Sequence, residues 1–499
     1  MDTMADITGA SMNRAAAAAG VERSTAEPVN KSAARSLYAK RLRIHPKAAH
    51  GVFRRLKWAI MAVTLAIYYL TPWIRWDRGP NAPDQAVLID FPARRFYFFF
   101  IEIWPQEVYY LTGLLIIAAL ALFLATSLFG RVWCGYMCPQ TVWTDLFIAV
   151  ERLLEGDRAA RIRGDAMPWT VGKIARKAVK HAAWLVIAVL TGGAWVFYFA
   201  DAPGLLADLV RFQAPAIAYM AIGGLTFTTY MLGGHAREQV CTYMCPWPRI
   251  QAAMLDDESL VVTYREFRGE PRGAHRKGDS WEGRGDCVDC NQCVAVCPMG
   301  IDIRDGQQLE CITCALCIDA CNGVMDRVGR PRGLIAYDTL TNLQRRTTGQ
   351  PPRFRLARLR PVVYAVLIAV VGAVMLAAFS SRGSVELSVL RDRNPLFVTL
   401  SDGSVRNGYT IKIINKRHQG RDFRLTVSGS VPAQLSILAA ADETATVTVG
   451  PDRLASFRVF LTVPAADVRG ESAQVTFVVS DTASGDQAVY DSVFRGPSK

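Results

Sequence analysis

Cys287-Val288-Asp289-Cys290-Asn291-Gln292-Cys293-Val294-Ala295-Val296-Cys297-Pro298 is followed by Cys311-Ile312-Thr313-Cys314-Ala315-Leu316-Cys317-Ile318-Asp319-Ala320-Cys321. Each stretch spaces its cysteines as C-x2-C-x2-C-x3-C. Three thiolates on so tight a loop grip three irons of one cube, and the fourth ligand comes from elsewhere in the chain. In the bacterial two-cluster pattern the last cysteine of each quartet serves the other cluster. The spacing thus assigns Cys287, Cys290, Cys293 and Cys321 to one [4Fe–4S] cluster, and Cys297, Cys311, Cys314 and Cys317 to a second. Zinc also accepts C-x2-C pairs but does not call for two such quartets in tandem. The second quartet lacks the usual following Pro and has Asn322 instead. That leaves ligation intact and bears on hydrogen bonding to the sulfurs, hence on potential.

Outward from the quartets, residues 256–352 are polar and rich in Gly and charge. Apolar blocks lie on both sides: Trp58–Trp73, Tyr109–Phe129, Val179–Phe199, Pro215–Leu232 and Val362–Phe379. Each is about the ~20 residues that cross a bilayer as a helix. Phe96–Trp104 is too short, is broken by Pro105, and reads as an interfacial or re-entrant aromatic segment. Lys and Arg collect on the cytoplasmic side of spans. They precede Trp58 (Lys40, Arg41, Arg43, Lys47, Arg54, Arg55, Lys57), fill the loop after the second span (Arg158, Arg161, Arg163, Lys173, Arg176, Lys177, Lys180) and precede the last span (Arg353, Arg355, Arg358, Arg360). All five spans then agree on an amino terminus inside and a carboxyl terminus outside.

A hexapeptide recurs. Cys134-Gly135-Tyr136-Met137-Cys138-Pro139 follows the second span, and Cys241-Thr242-Tyr243-Met244-Cys245-Pro246 follows the fourth. Both land at the cytoplasmic membrane face, as if a two-helix hairpin were used twice. Thiols at i and i+4 share one helix face. The residue before Pro avoids the helical region, so each pair is expected to span a helix end and the next helix start, with Pro139 opening a helix to Leu154. Four thiols, with Met137 and Met244 inside the pairs, suit Cu(I), zinc or iron–sulfur. A redox-active dithiol and plain buried packing are the other readings.

His181 and His235 lie at cytoplasmic span ends. They admit haem or an added copper ligand, but a helix-end histidine more often caps carbonyls, and no haem is expected. Glu102 and Glu107 flank Trp104-Pro105-Gln106, where a quinol site would want a carboxylate, although an interfacial charge meeting water is the simpler reading. Trp133, Trp143 and Trp247 read as interface-belt aromatics.

Beyond Phe379 the texture changes. Val385–Leu390, Leu396–Leu400, Tyr409–Ile414, Phe423–Val427, Thr444–Val449, Ser456–Val463, Gln474–Val479 and Val489–Val493 alternate apolar with polar residues between turn signals such as Asp402-Gly403 and Asn407-Gly408. Short strands so spaced predict an immunoglobulin-like β-sandwich. None of the 12 cysteines of the 499-residue chain lies in it. The regular grouping of all of them reads as metal ligation in a reducing compartment, with no disulfide. The net charge of +13 sits beside apolar blocks and forms no aromatic-interleaved stripe, so no nucleic acid is expected. No removable signal peptide is read in the first 57 residues, which run from an Ala-rich start (Ala15–Ala19) to the basic stretch.

The expected organisation is an α-helical membrane protein with about five transmembrane helices, a cytoplasmic two-cluster ferredoxin-like insert and a periplasmic sandwich. Its parts are 1–57 (basic, partly disordered), 58–255 (four-helix membrane domain with both hexapeptides), 256–352 (cluster domain), 353–380 (fifth transmembrane helix) and 381–499 (sandwich).

Together these features resemble the FixG/RdxA/CcoG family of cytochrome c oxidase accessory proteins. The resemblance is carried by Ile103-Trp104-Pro105-Gln106-Glu107, Arg131-Val132-Trp133-Cys134-Gly135-Tyr136-Met137-Cys138-Pro139-Gln140, Cys241-Thr242-Tyr243-Met244-Cys245-Pro246-Trp247, the double quartet, Asn407-Gly408-Tyr409-Thr410 and Ile413-Ile414-Asn415-Lys416. It implies a bacterial inner-membrane cupric reductase supplying Cu(I) to cbb3-type cytochrome c oxidase, with Cys134, Cys138, Cys241 and Cys245 as the copper candidates. Oxidase assembly factors and copper chaperones are the implied partners, the electron donor is unnamed, and a homodimer is admitted. Two other classes stay open: a quinol-oxidising electron-transfer subunit feeding a partner reductase, and a redox-sensing assembly scaffold.

Reporter fusions test the topology. Those after Asp201 and Arg391 are expected to report outside, and those after Gly164 and Gly278 inside. An inside signal at Arg391 means a miscounted span.

Overall fold

The computed structural model describes residues 21, 23–30, 43–80, 82–276, 278–438, 445–468 and 470–497. Ala15–Ala19, Lys40, Arg41 and Thr444 lie outside the described residues. The chain divides into two units, Met1–Ile74 with Val87–Ala373, and Arg75–Ala86 with Val374–Lys499.

Among the described residues, four helices are long and apolar enough to cross a membrane: Pro105–Phe129, Val171–Val196, Ala216–Ala236 and Leu359–Ser380. The expected first span is instead a 19-residue helix, Val52–Leu70, extended by a 3-10 turn over Thr71–Trp73. Arg54, Arg55 and Lys57 in its first turns leave it no long uncharged stretch. The third span starts eight residues before Val179, because Lys177 finds Glu155 at 3.3 Å and Asp165 at 2.8 Å. Most of Phe96–Trp104 lies in two short strands. Arg95–Phe98 and Ile101–Ile103 are strands of an antiparallel three-stranded sheet with Val87–Asp90, folded back at Phe99 with a φ of 51°. Alternation buries Tyr97 on one face, which a window of mean apolarity does not register.

The helix Pro139–Glu155 ties the first unit together through two buried carboxylates. Asp145 accepts both an Arg54 bond at 2.7 Å and a Lys57 contact at 3.6 Å, which neutralises two of the three charges on Val52–Leu70. Glu151 meets Arg237 at 2.7 Å, Arg161 at 2.9 Å, Arg43 at 3.0 Å and Lys180 at 3.7 Å. One side chain thus joins four separate segments. Burial alone would raise its pKa, but the surrounding cations, Arg237 foremost, hold it down to about 2.

The cluster domain closes through a two-stranded antiparallel sheet, Val261–Tyr264 with Ile335–Asp338. Its start is pinned to the second span, with Leu260 N–H on Leu128 O at 3.1 Å and Ser259 Oγ on Ser127 O at 2.7 Å. The described amino-terminal residues also lie on this domain. Ser24 N–H bonds Cys290 O and Lys47 N–H bonds Ala295 O, while Val21 and Ala26 enter its core. Asn322, the odd residue of the second quartet, sits inside the helix Leu316–Arg327 and accepts Gly333 N–H at 2.9 Å. A proline there would break that helix.

In the second unit, one antiparallel sheet runs Gln434–Ile437, Arg453–Val463, Val405–Asn415, Val385–Arg391, with Val398–Thr399 also on Val405–Asn415. The other runs Thr446–Val449, Arg421–Gly429, Ser472–Asp481, Gln487–Arg495. All eight expected strands are present, plus Gln434–Ile437. Tyr409, Ile411, Phe423, Val459, Leu461 and Phe477 fill the core, and Tyr409 Oη crosses to Val493 O at 3.0 Å. Packing supplies the cohesion a disulfide would otherwise give.

Glu151→Ala leaves buried cations unpaired and is expected to cost about 3–5 kcal/mol, read as a lower thermal midpoint in detergent. Glu151 has a folded pKa near 2 against 4.5 for the free group. Its stabilisation is therefore complete above pH 4.5 and lost as pH falls toward 2. The difference between parent and variant should shrink with acidification, and a constant difference contradicts the hub.

Candidate metal centres

Each hexapeptide lies on a single turn of π-helix, Trp133–Met137 and Val240–Met244. Cys138 N–H reaches Trp133 O at 2.9 Å and Cys245 N–H reaches Val240 O at 2.8 Å. Cys138 (ψ 127°) and Cys245 (ψ 126°) are extended, as a residue before Pro prefers. Pro139 then opens the helix to Glu155, and Pro246 precedes the helix Trp247–Met254. Each pair thus straddles a helix end and a helix start. Such π-turns concentrate at functional sites.

The two turns bring all four thiols into mutual electrostatic reach. Burial raises Cys134 and Cys138, with each other or Cys245 adding to the effect. Cys241 is pushed up to about 12, by burial first and then by Cys138, Cys134 and Cys245. Cys134 Sγ donates to Gln251 Oε1 at 3.0 Å, and the buried Gln251 Nε2 has no partner among the described residues. Met137 and Met244 are exposed, 44% and 64%, unlike the thiols they separate.

This group adjoins the second quartet. Cys134 and Cys241 share an apolar cluster with Cys297, Cys311, Cys314 and Cys317. A Cβ on Gly135 would stand 2.7 Å from Ile312 O and 3.1 Å from Cys314 Cα, so only glycine allows the approach. Tyr136 Oη donates to Cys314 O at 3.3 Å. Arg131, buried and donating to Leu309 O, lies within electrostatic reach of both Cys134 and Cys311.

Two small cavities lie in the cluster domain. One is lined by Cys287, Cys290, Cys293 and Cys321 beside Arg304. The other is lined by Cys297, Cys311, Cys314 and Cys317, with Cys293 at its edge. Asp289 and Asn291 have φ of 51° and 55°, and Thr313 and Ala315, at matching offsets in the second quartet, have 57° and 60°. Left-handed residues so repeated bend both loops around their cavities. Burial pushes Cys311 up to about 11 and Cys297 to about 12, and raises Cys290, Cys293, Cys317 and Cys321 as well. Thiolates buried this deeply need a bound cation, and a soft metal suits the donor set.

Other expected site residues lie elsewhere. His181 and His235 stack with ring centroids 5.8 Å apart, and Trp184 and Tyr230 approach both rings. That packing leaves no slot for a porphyrin plane. Glu102 and Glu107 do not simply meet water. Both are buried, Glu102 pairing with Arg95 at 3.1 Å and Glu107 accepting Trp104 N–H at 3.2 Å. Trp143 is no belt residue, since its Nε1 donates to Thr191 Oγ1 at 2.9 Å among the helices. Sequence reasoning missed Gln251, Arg131 and Tyr136 as parts of the site. Arg131 and Tyr136 stand in the quoted motif, but nothing local marks Gln251.

Residues 111–155 match the family described as "4Fe-4S binding domain", residues 236–340 match "4Fe-4S dicluster domain", and residues 375–497 match "IG-like fold at C-terminal of FixG". Nitrogen fixation protein FixG of Rhizobium meliloti is 54% identical over 96% of this chain and 98% of its own. Protein RdxA of Cereibacter sphaeroides is 55% identical over 86% of this chain and 91% of its own. Protein RdxB of the same organism is 52% identical over 92% and 98%.

Anaerobically purified protein is expected to hold iron and sulfide at about eight each per chain. Cys293→Ser or Cys314→Ser should remove about half the iron, as loss of one of two cubes requires. Stoichiometric zinc would contradict the reading.

Proposed function

From its membership of the FixG/RdxA/RdxB family, to which this chain belongs over nearly its whole length, we propose a cupric reductase that supplies Cu(I) for assembly of the cbb3-type oxidase copper centre. The observation that carries the proposal is the juxtaposition of Cys134 and Cys241, one from each hexapeptide, with the second quartet, which Gly135 permits. In this reading Cys287, Cys290, Cys293 and Cys321 hold one cluster, and Cys297, Cys311, Cys314 and Cys317 the other. When bound, these clusters supply one-electron relay from a donor to the membrane face.

The chain's own residues do the rest. Cys134, Cys138, Cys241 and Cys245 offer a soft donor set, which favours Cu(I) over Cu(II) and so pulls the reduction forward. Gln251 orients the Cys134 sulfur through its thiol bond. Arg131 places one fixed cation near both Cys134 and Cys311, favouring negative charge on either side. The Lys and Arg distribution supports a bacterial inner membrane with the amino terminus and cluster domain cytoplasmic, Val52–Leu70 crossing as a fifth span, and the sandwich periplasmic. There the sandwich would meet oxidase assembly factors or copper chaperones.

A second reading is favoured by one observation: the "4Fe-4S binding domain" match covers Cys134 and Cys138. In that reading the four thiols hold a third cluster, and iron rises to about twelve per chain.

Supplied with an external electron donor such as a dithionite-reduced mediator, the protein is expected to convert Cu(II) to Cu(I) over many turnovers, scored with a Cu(I)-specific chelator against a protein-free control. Replacing Cys134, Cys138, Cys241 and Cys245 together by Ser should abolish copper binding and leave the iron content intact. Cys293→Ser should spare copper binding and cut sustained reduction. A fourfold variant that reduces copper like the parent contradicts the proposal.

A further inference from the structure

We propose that Gln251 is a positioning residue whose side-chain amide turns over when Cys134 takes up Cu(I), so that it donates to the sulfur it now accepts from. This deepens the copper-reductase reading and rests on it. Gln251 sits on the helix Trp247–Met254, which follows the second hexapeptide, yet its side chain reaches the first. It is 0% exposed and links the two repeats directly. Gln251 stands six residues beyond Cys245, and the matching residue beyond Cys138 is Thr144, which has no amide to offer.

A side-chain amide has two ends of opposite character: its oxygen accepts and its NH2 group donates. Here the oxygen is engaged by the Cys134 thiol at 3.0 Å, while Nε2 is buried with no partner among the described residues. A buried donor with nothing to bond is destabilising, and its retention calls for a state in which it is used. The thiol state cannot use it, because an S–H needs the oxygen. A sulfur bound to copper has lost its proton and keeps lone pairs only, so it repels the amide oxygen and attracts an N–H. Half a turn about the last side-chain bond exchanges the two ends, which are alike in size, with no shift of the helix. The oxygen then takes the idle place, and an under-bonded oxygen costs less than an idle N–H.

The other groups around the first pair are fixed. Thr141 Oγ1 donates to Cys134 O at 2.7 Å and holds the turn in place. Arg131 faces Cys134 with donors only and keeps its charge. The backbone N–H groups of Gln140 and Thr141 likewise face Cys138. Gln251 is the partner able to meet both states of the sulfur. The ligation step balances: Cu(I) replaces the thiol proton on Cys134, the proton passes to solvent, and no electron moves. The N–H···S bond then rests on a charged sulfur and is stronger than the S–H···O bond it replaces. It is strongest on Cu(I), which leaves more charge on sulfur than Cu(II) does. The amide thus adds to the preference for the reduced ion.

The test uses full-length, iron-loaded protein in detergent, kept anaerobic, with Cu(I) as the probe. Infrared difference spectra, copper-loaded minus copper-free, are taken on protein carrying carbon-13 at the glutamine side-chain carbonyl. In the parent a glutamine carbonyl band should move to higher frequency, as an oxygen released from its hydrogen bond does, and S–H stretch intensity should fall. Gln251→Leu should keep the iron content, abolish the carbonyl shift and raise the Cu(I) dissociation constant about tenfold, the worth of a hydrogen bond to a charged group. A competing Cu(I) chelator reads that constant. Cys134→Ser, which leaves three thiols for Cu(I) and keeps a hydroxyl on the amide oxygen, should also show no shift, and it serves where Gln251→Leu loses iron. A parent carbonyl band that stays in place while Cu(I) binds overturns the proposal. So does a shift that persists in either variant, or a Cu(I) affinity that Gln251→Leu shares with the parent. Parent protein that binds no Cu(I) defeats the copper reading and this inference with it, whereas Cu(I) bound on sulfur beside an unmoved amide defeats this inference alone.

Discussion

No side chain fits at residue 135. A single carbon there would collide with the backbone of Ile312 and Cys314, and from that contact follows the position of every other redox group on this face. The π-turn sets Cys134 on one side of Gly135 and Tyr136 on the other, so the thiol and the phenol both end beside the second quartet. A plain α-helix would rotate successive side chains by a different angle and would run on through Cys138. The proline after each pair prevents that continuation, and the backbone N–H of the second cysteine closes the turn. The second hexapeptide repeats the device without the glycine, with Thr242 in its place, and it lies against the first hexapeptide's thiols.

Electrostatics complete the arrangement. None of the twelve cysteines is bridged, and two guanidiniums stand close to them. Arg304, anchored by Asp302 at 2.6 Å and Asp289 at 2.8 Å, lines the cavity of the first quartet. Arg131 stands near Cys134 and Cys311. Negative charge delivered to either place meets a guanidinium that is already oriented, so little reorganisation accompanies each electron. Glu151 does the inverse one helix away, a single anion gathering cations from four segments. The helix Pro139–Glu155 carries that hub at one end and Cys138 at the other, so the stability of the helix bundle and the geometry of the thiols share one element.

What could be read from residues alone was what local spacing encodes. The quartets, the repeated hexapeptide and eight alternating strands each announce themselves within about ten residues of chain. Gln434–Ile437 escaped because four residues carry too little alternation and its identity depends on pairing with Arg453–Val463. Val52–Leu70 read as an ordinary span because the partner that neutralises Arg54 and Lys57 is Asp145, far along the chain. The burial of Glu102 and Glu107 and the indole bond of Trp143 likewise depend on partners no spacing reveals. Residues 21 and 23–30 have no periodicity, and it is their bonds to Cys290 O and Gly300 O, with Val21 and Ala26 in its core, that show they belong to the cluster domain.

In the proposed reading, four thiols from two π-turns form one soft-metal site next to an electron relay. Copper K-edge X-ray absorption on protein loaded anaerobically with one equivalent of Cu(I) addresses it most directly. The account predicts a first shell of sulfur that disappears when Cys134, Cys138, Cys241 and Cys245 are all replaced by Ser. A first shell of nitrogen and oxygen, unchanged by that replacement, would contradict it.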